Sequence, residues 1–202
     1  MPQHYYSKDP QVKSNPRKWN VTLRNINFQF ISDSGVFSKK EVDFGSGLLI
    51  ESFEDDPTSK GQILDIGCGY GPIGLSIAAT CKNRVVHMVD VNERAIELSE
   101  KNAQLNNIKN IKIYSSDLFS AVNEKDFSAI LSNPPIRAGK NVVHGILSGS
   151  YEKLCDGGTL WIVIQKKQGA PSAFDKMKEV FGNAEVIEKK KGYQIIKSVK
   201  VG

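Results

Sequence analysis

From residue 62 onward the chain repeats one rhythm. A short apolar run is followed by a glycine-rich or acidic turn, then by apolar positions three and four apart. Residues 62–66 predict a strand and 73–80 a helix. Residues 84–89 predict a strand and 93–105 a helix, with Ala95, Ile96, Leu98, Ala103 and Leu105 on its apolar side. Strands follow at 111–114 and 129–131, a helix at 141–154, a strand at 158–164 and a helix at 173–181. Residues 185–188 and 193–199 read as closing strands. Such alternation predicts an α/β fold, a mostly parallel seven-stranded sheet with helices on both faces. Only a Lys-Lys-Lys-Gly link joins the last two strands, too short for a parallel crossover, so the last strand should run antiparallel.

Upstream the pattern differs. Val21, Leu23, Ile26, Phe28 and Phe30 alternate with polar residues around Asn25, which predicts a β-hairpin. Residues 1–18 are polar and broken by prolines, and read as a loose arm. The second half of 36–53 predicts a helix. Residues 1–55 are thus an arm, hairpin and lid-like helix preceding a core at 56–202, within a single domain.

Composition adds limits. At 202 residues and 40% apolar, the chain is long enough for one domain with a real core. The net charge of +5 is modest, but basic residues gather at both ends: Lys8, Lys13, Arg17, Lys18 and Arg24, then Lys189, Lys190, Lys191, Lys197 and Lys200. That distribution suits a polyanion, but charge alone favours a solvated lysine surface. Cys68, Cys81 and Cys155 form neither a CxxC pair nor a Cys/His cluster, so no disulfide framework or metal site is expected. Without an apolar signal core or a membrane-spanning run, the expectation is a cytoplasmic protein.

The strongest local signal is Ile63-Leu64-Asp65-Ile66-Gly67-Cys68-Gly69-Tyr70-Gly71-Pro72-Ile73-Gly74. Glycines at a strand-to-helix turn let a ligand approach the backbone where a Cβ would collide. Residues 69–74 also match the dinucleotide fingerprint, with Asp90 about twenty residues on for a ribose. An NAD-dependent oxidoreductase is therefore a rival reading. Register opposes it, since the glycine that closely follows the strand is Gly67. Asp65 opposes it too, because a carboxylate there repels a pyrophosphate and suits a cation such as a free α-ammonium group.

These residues resemble the first motif of class I S-adenosylmethionine-dependent methyltransferases. The resemblance implies S-adenosylmethionine as cofactor, its methionine end held by Asp65, Gly67, Gly69 and Gly71. It assigns the ribose to Asp90, with Val91 beside it, and the adenine amino group to Asp117, with Leu118 beside it. A plain alternative for each acid is a helix N-cap.

After the fourth predicted strand comes Ser132-Asn133-Pro134-Pro135-Ile136. Pro-Pro could merely end a strand, but this position borders the crevice where open α/β sheets bind ligands. An aromatic amine is a weak nucleophile because its lone pair is conjugated. The Asn133 side-chain oxygen and the Pro134 carbonyl would accept from its two N–H groups, face the nitrogen to the methyl, and stabilise the charge developing on it. Pro135 stiffens the loop. The segment is similar to the NPP motif of methyltransferases acting on amino groups of adenine, guanine and glutamine. It departs from that motif at Ile136, where an aromatic would stack on the substrate. Phe37, Phe44, Tyr70 and Phe119 are the candidate replacements.

Residues 35–38 and 43–47 resemble the segment preceding the core in the small-domain methyltransferases, whose best-defined members modify guanine N2 of small-subunit ribosomal RNA. The resemblance runs from about residue 20 to the end and implies the minimal single-domain form, gripping RNA with its own surface or as a homodimer. It implies Phe37 and Ser46 at the substrate mouth. Arg137, Lys140, Lys166 and Lys167 would contact phosphate. His144 reads as a packing residue. Adenine in nucleic acid and a protein glutamine remain as alternative acceptors.

Overall fold

A computed structural model describes residues 13–36 and 41–202. The first part of the chain forms β1 (Arg17–Leu23), β2 (Ile26–Ser32) and α1 (Phe44–Ser52). Then come β3 (Ile63–Ile66), α2 (Pro72–Thr80), β4 (Val86–Asp90), α3 (Glu93–Leu105) and β5 (Ile111–Ser115). The remainder is β6 (Phe127–Ser132), α4 (Lys140–Lys153), β7 (Leu154–Gln165), α5 (Ala170–Phe181), β8 (Glu185–Lys190) and β9 (Tyr193–Val199).

Seven strands pair in the order β5-β4-β3-β6-β7-β9-β8, and β9 runs against both its neighbours. The expected α/β sheet with an antiparallel last strand is therefore present. Its central strands β3 and β6 are buried at every position, as a parallel sheet covered on both faces requires. Alternate residues feed two cores. Ile63, Met88, Leu131 and Trp161 face the hairpin and helices α1 to α3, whereas Leu64, Val89, Ile130 and Ile162 face α4 and α5.

The hairpin turns at Arg24 and Asn25, both in the left-handed region (φ 49° and 61°), the backbone of a two-residue turn that matches strand twist. Its β2 edge is satisfied by asparagines one turn apart, Asn102 on α3 and Asn106 at the C-cap of that helix. Asn102 accepts from the Ile31 N–H (2.7 Å) and donates to the Ile31 carbonyl (2.9 Å). Asn106 does the same for Gln29, at 2.9 and 2.8 Å. Two side-chain amides thus act as the missing neighbouring strand, and they join the hairpin to the core.

Several boundaries differ from expectation, α5 for instance beginning at Ala170 rather than 173 and β6 at Phe127 rather than 129. β1 begins at Arg17, inside the stretch read as a loose arm, because Arg17 and Lys18 pair with Ser32 and Ile31 although their side chains are exposed. β7 begins at Leu154 rather than 158, and a register shift between Phe127 and Ala129 absorbs the extra residues. Among the described residues no helix is long and apolar enough to cross a membrane.

Candidate active site

Parallel strands deliver their C-terminal ends to one edge of the sheet, and ligands bind there. At that edge lies a cavity of about 780 Å³, within the range of small-molecule sites. Loops after β3, β4, β5 and β6 line it, joined by the start of α1, the end of β7 and the first residue of β9.

The glycines in the β3–α2 turn divide into two kinds. Gly67 (φ 77°) and Gly69 (φ 59°) line the cavity, and a Cβ on either would meet no protein atom. They supply a left-handed backbone and leave room for a ligand. Gly71 and Gly74 face inward: a Cβ on Gly71 would lie 2.9 Å from Leu75 Cδ1, and one on Gly74 would lie 2.6 Å from Met88 Cγ. Gly71, expected to touch the cofactor, instead caps α2 and lets it pack against β4.

Asp65 sits beneath this loop and is almost wholly buried. Its Oδ2 accepts from the Gly74 N–H at 2.8 Å, while Oδ1 has no partner. Burial lifts its carboxyl to about 7, with the neighbouring Asp90 charge adding to the rise. Asp65 itself stands outside the cavity lining, behind the glycine cradle, and a buried carboxylate with an unsatisfied oxygen there fits a cationic ligand. It does not fit a pyrophosphate.

Asp90 lines the cavity. Its two oxygens accept from the N–H groups of Asn92 and Gly69, both at 2.9 Å, and the Val91 N–H is a further donor, which fixes the carboxylate at the cavity wall. Burial raises its pKa against those bonds. Val91, Asp117 and Leu118 also line the cavity. Asp117 is exposed and caps no helix. Leu118 is held at φ 48°, with Ser116 Oγ donating to its carbonyl at 2.8 Å. A left-handed non-glycine residue in a ligand crevice is strain the surrounding loop must hold.

Across the cavity, Ser132 Oγ donates to the Ile66 carbonyl at 2.8 Å and ties the end of β6 to β3. Asn133, Pro134, Pro135 and Ile136 follow, all lining the cavity. Asn133 Nδ2 donates to Asp43 Oδ1 (3.1 Å) and to Ser46 Oγ (2.9 Å). Asp43 is in turn the N-cap of α1, accepting from the Ser46 N–H at 3.0 Å.

The cationic residues are less uniform. Arg137 lines the cavity, whereas Lys140, Lys166 and Lys167 are exposed outside its lining, where Gln165 and Gln168 stand instead. Phe37 lies outside the described residues. His144 approaches Ser172 (3.3 Å) between α4 and α5 and does not line the cavity. Among the described residues no three His, Cys, Asp or Glu side chains are grouped to hold a metal ion.

A role for Asp43 and for Tyr193 escaped the sequence reading. Asp43 carries a detectable signal, since Asp-x-x-Ser before an apolar run is an N-cap pattern. Tyr193 looked like one more residue of a closing strand.

Comparison with known proteins decides the family. The model of the methyltransferase small domain matches residues 27–197. The chain belongs to this family. With it come a methyltransferase reaction and S-adenosylmethionine as methyl donor, which the cradle and the buried carboxylate fit. Among small-domain relatives, Uncharacterized protein YbxB of Bacillus subtilis is 63% identical over the full length of both chains. Ribosomal RNA small subunit methyltransferase C of Klebsiella pneumoniae is 30% identical over 95% of this chain and 55% of its own. The small-domain chain thus spans about half the length of such ribosomal RNA enzymes. The structure of the Thermus thermophilus 16S rRNA N2 G1207 methyltransferase with AdoMet and guanosine superposes with a TM-score of 0.82 at 24% identity. It covers 95% of this chain and 52% of that one.

Proposed function

We propose that this methyltransferase modifies an exocyclic amine, and that the amine is N2 of a guanine in small-subunit ribosomal RNA. The orientation of Asn133 carries the reading. Asp43 Oδ1 and Ser46 Oγ engage both protons of its amide, so Oδ1 is the end left to accept a hydrogen bond in the cavity. Together with the Pro134 carbonyl it makes two acceptors for the two N–H groups of a flat amine.

S-adenosylmethionine, when bound, supplies an electrophilic methyl group on sulfur. Asn133 Oδ1 and the Pro134 carbonyl would hold the acceptor nitrogen at the cavity and stabilise the positive charge that grows on it. Methylation would leave the acceptor nitrogen with one proton too many, and that proton would pass to solvent. The chemistry needs neither a strong base nor a side-chain nucleophile. Asp65 would favour the cationic end of the methyl donor, and Asp90 would hold its hydroxyls.

RNA as acceptor is supported by the relatives named for ribosomal RNA and by the guanosine in the superposed neighbour. Exposed Lys140, Lys166 and Lys167 beside the cavity suit phosphate contacts. Work on ribosomal RNA would place the enzyme in the cytoplasm.

The test is tritium transfer from S-adenosylmethionine to RNA and protein of a strain lacking the gene, with the product digested and identified. N2-methylguanosine in small-subunit RNA is the expected result. Label in adenine or in a protein glutamine would overturn the assignment. Asn133→Ala should keep cofactor affinity within a few-fold and lower turnover by about 100- to 1000-fold, the typical loss of one stabilising group at developing charge.

A further inference from the structure

We propose that Tyr193 is the platform on which the target base stacks, replacing the aromatic ring that position 136 lacks. The proposal rests on the guanine reading above.

A planar acceptor gripped along its amine edge by Asn133 and Pro134 still needs contact on its faces, and Ile136 supplies only an apolar one. The other candidate rings among the described residues are placed elsewhere, and Phe37 lies outside those residues. Phe119 is packed under α4, so close that a Cβ on Gly149 would lie 2.5 Å from it. Phe44 is covered by the Lys191 ammonium, 4.9 Å from the ring centre, and does not line the cavity. Tyr70 does line it, but from the glycine loop that serves the methyl donor. It is buried, with Trp19 and Phe30 against its ring at 6.0 and 5.7 Å between centres. Among the described residues that leaves one ring, Tyr193, both lining the cavity and partly exposed.

Topology puts it there. Because β9 runs antiparallel, its first residue lies opposite Gln165, the last residue of β7, at the ligand-binding edge. The Lys166 N–H donates to the Gly192 carbonyl at 2.8 Å and pins the turn before it. Packing sets the ring against α1. A Cβ on Gly45 would come within 2.9 Å of Tyr193 Cε1, and the Phe44 ring lies 5.6 Å away at 49°. One short helix therefore controls two things. Its cap, Asp43, orients the Asn133 acceptor, and its second residue, Gly45, seats the ring.

The test uses two variants, Tyr193→Leu and Tyr193→Phe. Leucine keeps apolar packing on Gly45 and Phe44 but offers no flat face; phenylalanine keeps the face. Methyl transfer to deproteinised small-subunit RNA is measured alongside calorimetric binding of S-adenosylmethionine and thermal melting. Tyr193→Leu should lower kcat/KM for RNA by about 10- to 100-fold, the range for losing one base–aromatic stack. Its cofactor affinity should stay near that of the unaltered protein, and Tyr193→Phe should restore most of the loss. Adding Ile136→Phe to Tyr193→Leu should recover part of it. An unchanged kcat/KM in a folded Tyr193→Leu protein overturns the proposal, and so does an equal loss of cofactor binding. If the unaltered chain methylates no RNA, the guanine reading itself falls and takes the proposal with it.

Discussion

Asn133 donates through Nδ2 to Asp43 Oδ1 at 3.1 Å, across ninety positions of sequence. The contact makes an N-cap into a rotational lock on the amide that, in the proposed reaction, faces the acceptor. Without it the amide could turn its N–H groups toward the substrate and repel the amine it should hold.

Asp43→Ala should therefore lower kcat by about 100-fold, the scale of small misplacements at a reacting centre. The KM for S-adenosylmethionine should change little. Lost capping should also lower stability by about 1 kcal/mol, read separately by thermal melting. Asp43→Asn keeps an Oδ1 for both contacts and should recover most of the turnover. Equal losses in both variants would show that the charge, not the lock, matters.

Asp65 predicts opposite pH trends for the free and loaded protein. With its pKa raised from 3.8 to about 7, the folded chain holds a proton there that the unfolded chain has already released. Through that window the stability of the cofactor-free protein falls as pH rises. A cation above the loop favours the ionised form, so cofactor affinity should increase with pH up to about 7 and then level. Calorimetry below and above neutrality checks this. Asp65→Asn should weaken binding at neutral pH and flatten the dependence, and an unflattened profile would assign the titration elsewhere.

Asn102 predicts a stability effect far from the chemistry. It is fully buried, donates to the Ile31 and Tyr70 carbonyls at 2.9 and 2.8 Å, and accepts from the Ile31 N–H at 2.7 Å. Asn102→Ala strands those groups, so unfolding free energy should drop by about 2 kcal/mol or more. Denaturant titration measures it.

Lys166 and Lys167 follow β7 beside the turn that carries Tyr193. If both meet phosphate, replacing them with alanine should reduce the slope of log affinity against log salt by about 1.4 for single-stranded RNA. An unaltered slope would leave them as solvated surface.

Much of this was readable along the chain because it is local. Glycine where a turn needs positive φ, asparagine or aspartate at helix starts, and apolar runs between them follow from backbone sterics and burial within a few residues. Gly67 and Gly69 were recognisable in that way, and so was the antiparallel last strand, from a link too short to cross the sheet. Gly71 shows the limit. Sequence spacing makes it look like its neighbours, yet its missing Cβ faces Leu75 and Met88, which come from α2 and β4.

The order of strands and helices, the cationic character of the ligand and the position of Asn133-Pro134-Pro135 at the strand ends were thus determined by sequence alone. They depend on short-range geometry and on the sign of one charge. Tertiary structure alone decided which way Asn133 faces, which glycines line the cavity and which ring borders it. Each of those depends on side chains from separate elements, Asp43 beside Asn133 and Gly45 beside Tyr193, brought together only when the sheet closes over its two cores. A linear pattern can record that a residue is present, but contact between distant residues is created by packing.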